Sequence, residues 1–176
     1  MSQDILIIVN CDRTAPNRIQ MFCDPSIAYA GTQGGGEGSN ELGVKVPLNT
    51  ELRWRAVPLQ TQDPNDAGVY HVVIKRYHLW NNAQGNAANY LVEWGTSNGG
   101  SDAPFYKPPG NLAPDTDAAI STEGIDRPFV QCLTQLTSRD ENLSPQIAYS
   151  FTVTIFKNGD KVEDLSWDPY VVIYRP

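Results

Sequence analysis

Side-chain catalysis needs a base, a nucleophile or a metal ligand, so the two histidines and three cysteines come first. His71 and His78 lie in one strand-like run. Their odd spacing puts them on opposite faces of a regular strand. They form no chelating pair unless a bulge intervenes, and a structural or surface role is expected. There is no Cys-x-x-Cys and no His-x-x-x-His, so a zinc site is disfavoured. Cys132 sits among Val130, Leu133 and Leu136 and reads as core. Cys11 and Cys23 flank the first loop. A catalytic thiol needs an electropositive, accessible setting, and nothing in the sequence around these cysteines supplies one.

One serine motif is present. Gly95-Thr96-Ser97-Asn98-Gly99 matches Gly-x-Ser-x-Gly after a strand. A nucleophile elbow needs a helix directly after it and a histidine later in the chain. Here Gly100-Ser101-Asp102-Ala103-Pro104 follows, and both histidines precede Ser97. The motif reads as loop. Gly34 to Gly38 is no phosphate loop, because no Gly-Lys-Ser/Thr follows. Three acidic groups remain: Asp63 with Asp66, Asp115 with Asp117, and Asp140 with Glu141 and Asn142. Calcium takes oxygens from such loops, but no EF-hand pattern appears, and turn formation explains them. No catalytic, cofactor-binding or metal-binding residue is assigned, and no cofactor is implied.

The remaining chemistry is aromatic. Core packing accounts for most of Trp54, Trp80, Trp94, Trp167 and the eight tyrosines. Trp80-Asn81-Asn82, and Trp94 with Asn98 and Asp102, combine flat rings with amide and carboxylate oxygens. These six residues are the candidate surface for an unidentified protein or glycan ligand.

The elements that would position such residues read as strands. Asp4 to Asn10 is a short apolar run with the composition of a buried strand. Arg18 to Cys23 is a second, weaker candidate. Gly43 to Leu48 puts Val44 and Val46 on one face, and Pro47 marks an edge or an end. Glu51 to Leu59 alternates Leu52, Trp54 and Ala56 against Arg53 and Arg55. Val69 to Trp80 is long enough to require a bend or bulge. Tyr90 to Trp94 returns to strand, and Pro128 to Leu136 fits a strand or a short helix. Tyr149, Phe151, Val153 and Ile155 alternate with small polar residues, and Asn158-Gly159 then demands a type I′ hairpin turn. Lys161 to Trp167 returns antiparallel, Asp168-Pro169 breaks the chain, and Tyr170 to Tyr174 closes it. Gly31 to Asn40 and the long Gly95 to Glu123 stretch read as polar loops. No segment carries a helical period. The expected fold is all-β: one antiparallel β-sandwich domain over residues 1–176, jelly-roll-like or immunoglobulin-like, with long polar loops.

The whole-chain numbers agree. The chain has 176 residues, 40% apolar and 19% charged, which suits one globular domain. A net charge of −7 repels nucleic acid and anionic lipid. No apolar run approaches a membrane span. The short run after Met1-Ser2-Gln3-Asp4 is no secretory leader, and an odd number of cysteines suits reduced thiols. A cytoplasmic protein is expected. Exposed edge strands make a homodimer plausible.

Two ends of the chain resemble a known family. Asp4-Ile-Leu-Ile-Ile-Val-Asn-Cys-Asp12 and Trp167-Asp168-Pro169-Tyr170-Val-Val-Ile173, with Tyr149 to Asp160 before the latter, are similar to the bacterial inclusion body protein family that takes in PixA and AidA. The resemblance implies a non-enzymatic protein. Its inclusion-body branch is associated with methionine-rich chains, and this chain has two Met. It looks more like the AidA branch, associated with quorum-sensing control and host interaction. Three functions follow as expectations: a binding or host-interaction module, a self-assembling storage protein, or a hydrolase using a cysteine or Ser97.

Overall fold

Alternating apolar residues and turn formers dictate the secondary structure, and among the described residues every regular element is a strand. The computed structural model describes residues 1–31, 35–79, 81–82, 85–86, 89–93, 129–136 and 144–176. In chain order the strands are β1 (Ser2–Val9), β2 (Ile19–Phe22), β3 (Gly43–Pro47), β4 (Glu51–Pro58), β5 (Tyr70–Leu79), β6 (Asn81–Asn82), β7 (Gly85–Asn86), β8 (Leu91–Glu93), β9 (Phe129–Thr134), β10 (Gln146–Lys157), β11 (Asp160–Trp167) and β12 (Tyr170–Tyr174). One sheet runs β2-β1-β4-β9-β8. The other runs β11-β10-β12-β3, with β5 also paired to β10. β6 and β7 form a small hairpin.

The all-β expectation holds, but the strands are not all antiparallel. β1 runs parallel to β4, with Ile5 opposite Trp54, and β12 runs parallel to β3, with Val171 opposite Val44. Parallel partners need a long connection between them. The chain between β1 and β4, which contains β2 and β3, supplies one. Apolar alternation reports which face is buried, not which way the neighbour runs, so the sequence could not reveal the mixed direction.

The alternation in β4 is realised. Leu52, Trp54 and Ala56 are buried, and Arg53 and Arg55 lie on the other face at half burial. β1 is less buried than its apolar run suggests. Ile5, Ile7 and Val9 face the core, while Leu6 and Ile8 stay half-buried beside Phe22 and Val57. β10 is more buried than its pattern suggests. Phe151, Val153 and Ile155 enter the main core, and Phe156 packs with Val73 in a small second cluster. Thr152 and Thr154 are also buried, hydrogen-bonded to Ser166 (2.8 Å) and Asp164 (2.6 Å) on β11.

Side chains from both sheets share one core cluster. At its centre the Trp54 indole N–H donates to the Tyr149 hydroxyl at 2.7 Å, joining β4 to β10. Their rings meet edge-on at 5.2 Å. Such a pair supplies area, ring geometry and a satisfied polar tip together. Burial pushes the Tyr149 hydroxyl far above its ordinary pKa, so it stays neutral.

The hairpin turn is as the sequence demands. Asn158 and Gly159 both have positive φ, 54° and 89°. β11 and β12 then follow one edge of β10. Trp167 faces Phe151, the Tyr149 N–H donates to the Pro169 carbonyl at 3.1 Å, and Tyr170 faces Ala148. Asp168-Pro169 is therefore an interruption in one continuous partner. Beyond it, the Tyr170 hydroxyl receives the Gly31 N–H (3.0 Å) and donates to the Tyr29 carbonyl (3.1 Å). A Cβ at Gly43 would run into the Tyr170 ring and the Tyr29 carbonyl, which is why that position has none.

β9 settles the Pro128 to Leu136 ambiguity as strand. Gly35 to Ser39 is tied down more than its composition suggests. Met21 on β2 gives its N–H to the Ser39 carbonyl and takes the Gly38 N–H.

Candidate functional site

The chain turns at one end of the sheets bring polar side chains together. The stretch after β1, the stretch after β4 and the start of β5 enclose a cleft of about 210 Å³. Cys11, Asp12 and Arg13 form one wall; Gln60, Asp63 and Tyr70 form the other, with Asn65 beside them.

Local chemistry fixes both walls. Asp12 Oδ1 accepts the Thr14 N–H and hydroxyl, each at 2.8 Å, the standard way an Asp closes a turn. Those hydrogen bonds hold its carboxyl below the usual pKa. Asn10 Oδ1 takes the Asp12 N–H (3.0 Å) and the Gln60 Nε2 (2.9 Å), tying one wall to the other. Arg18 reaches Glu163 on β11 at 2.8 Å, and the more exposed Arg13 lies 3.7 Å from the same carboxylate.

The opposite wall is clamped by Lys157, from the end of β10. Its ammonium donates to Asp63 (2.8 Å) and Asp66 (2.6 Å) and stands 5.6 Å from the Tyr70 ring centroid. Tyr70 donates its hydroxyl to Asp63 at 2.8 Å. The Lys157 hydrogen bond is the main cause of the low Asp63 and Asp66 pKa values, and the same bonds raise Lys157. Tyr70 is raised by its bond to Asp63. The Asp63–Asp66 turn therefore holds an internal ammonium. Gly68 leaves room for that lysine, since a Cβ there would meet the Lys157 side chain.

The thiols are quiet. Cys11 is buried and, chiefly through desolvation, pushed up to about 11. Cys23 is half-buried and rises to about 11 for the same reason. Cys132 is fully buried, as its apolar neighbours indicate, and is pushed higher still. All three are free. Among the described residues no three His, Cys, Asp or Glu side chains group as a metal site.

The histidines do sit across a bulge. Ile74 faces Val153 and Arg76 faces Thr152, so Lys75 is the extra residue. His71 then faces Phe156 and His78 faces Ser150. The opposite-face reading for a regular strand therefore does not apply. The two positions are still about 20 Å apart at ~3.3 Å per residue, too far to share a metal.

Of the six candidate ligand-surface residues, Asn81 and Asn82 form β6, opposite Asn86 and Gly85. Trp80, Trp94, Asn98 and Asp102 lie outside the described residues, as do Ser97, Asp115, Asp117 and the Asp140–Asn142 group. The cleft was missed because its residues come from three separate stretches. The one local signal was the turn chemistry of Asp12 and Asp63.

Among the described residues no helix is long and apolar enough to cross a membrane. No protein-family model matches the chain, and no curated protein matches it. Among solved structures the chain is similar to the crystal structure of an inclusion body protein, PixA, from Burkholderia cenocepacia J2315. The TM-score is 0.54 at 9% identity, over 98% of this chain and 95% of that one. At that identity the likeness is one of fold.

Proposed function

We propose that the protein is a non-catalytic binding module, a single β-sandwich domain of the inclusion-body-protein type. The observation that carries the reading is the fold likeness across nearly the whole length of both chains. The suppressed Cys11, Cys23 and Cys132 thiols support it against a cysteine hydrolase. On this reading the protein works in the cytoplasm, under quorum-sensing-type control, and engages a protein or glycan partner in host interaction. Pull-down from host and bacterial lysates and a glycan array test it: a reproducible partner is expected. Turnover-dependent labelling by thiol- or serine-directed probes would sink it.

A second reading, self-assembly into a storage body or a homodimer, is favoured by the fold likeness to an inclusion body protein. It predicts a mass that grows with concentration in light scattering. A strict monomer at the highest attainable concentration removes it.

A further inference from the structure

We propose that the cleft between the Cys11–Arg13 and Gln60–Tyr70 stretches binds a small, uncharged, polyhydroxylated molecule of monosaccharide size. The inference rests on the non-catalytic binding reading and gives it a place and a ligand class.

Size comes first. At about 210 Å³ the cleft falls below the ~300–1,000 Å³ of pockets that hold drug-sized ligands. It suits a single sugar ring and not an oligosaccharide. Charge comes second. Lys157 is shared between Asp63 and Asp66, Arg18 and Arg13 share Glu163, and Asp12 has no ion pair among the described residues. Three cations against four carboxylates leave one excess negative charge, which turns away anions, and a carboxylate is a good acceptor for hydroxyls.

Hydrogen-bonding capacity comes third. Among the described residues Asp12 commits only Oδ1 to its turn, and Arg13 has one long ion pair. Gln60 uses its amide nitrogen on Asn10 and keeps its Oε1 buried away from solvent, so Asn65 supplies the amide that lines the cleft. Carboxylate, guanidinium and amide groups together offer donors and acceptors to groups that are both, as hydroxyls are. The walls are already held by Asn10, Thr14 and Lys157, so binding need not order them.

The test is a titration of the isotopically labelled full chain with D-mannose, D-galactose and N-acetyl-D-glucosamine, followed by two-dimensional NMR. At least one sugar is expected to give saturable shifts centred on residues 11–13 and 60–70, with millimolar affinity. Arg13→Ala and Asn65→Ala, both at exposed positions, should each weaken it about fivefold or more. Asp12→Asn keeps an oxygen for the turn, removes the charge, and should weaken it too. Absence of saturable shifts with all three sugars overturns the proposal, as do shifts scattered over the surface or variants that bind like the parent. Sugar converted to product in the same spectra would instead overturn the non-catalytic reading.

Discussion

The Asp63–Lys157–Asp66 clamp has two pH limits. The folded-state pKa values of both carboxyls are lowered, so their contribution is present above the unfolded values near ~4 and is lost as pH falls below that. Lys157 is raised, so its contribution is present below ~10.4 and is lost as pH climbs through the folded value. Denaturation midpoints in urea should therefore hold flat between about pH 5 and 9 and drop on either side. Lys157→Met should lower the plateau and shallow both flanks; a curve as steep as the parent's refutes the clamp. The thiols give a second residue-scale expectation. With Cys11 and Cys23 near 11 against an ordinary 9.0, the thiolate fraction at pH 7.5 is about 100-fold below that of a free thiol. Alkylation followed by mass spectrometry should show slowing of that order for both. Cys132 should label only after unfolding.

Individual elements differed in how far the sequence revealed them. β4, β10 and the Asn158-Gly159 turn were legible because burial alternates residue by residue and positive φ selects Asn and Gly. The same logic makes Gly159→Ala costly at φ 89°, by about 1 kcal/mol, read as a lower urea midpoint with an unchanged slope. The bulge at Lys75 was foreseen from the length of β5, but its position depends on β10 and cannot be read from β5 alone. The parallel pairs and the cleft were not legible. Both arise when segments distant in sequence become neighbours, and no local spacing encodes that. Thr134 is a further case. It reads as an ordinary strand residue, yet its hydroxyl takes the Thr50 N–H at 3.0 Å and donates to the Pro47 carbonyl at 3.0 Å, fastening the β3–β4 turn to β9.

The Trp54–Tyr149 contact and the shared core join the two sheets, so they are expected to unfold as one unit. Tyr149→Phe removes the acceptor of a buried indole N–H and should cost about 1–3 kcal/mol. Tryptophan fluorescence and far-ultraviolet circular dichroism should nonetheless follow one coincident transition in the parent and the variant. Two separate transitions would show that the sheets are energetically independent. The placement of β12 has a further consequence, for timing during synthesis. It lies between β10 and β3, so Gly43 to Pro47 must wait for Tyr170 to Tyr174 before that sheet can close. Until the ribosome delivers those residues, β3 leaves Val44 and Val46 without their sheet partner. A nascent chain stalled before Tyr170 should therefore remain sensitive to protease and bound by chaperones, and become resistant only when the last strand emerges.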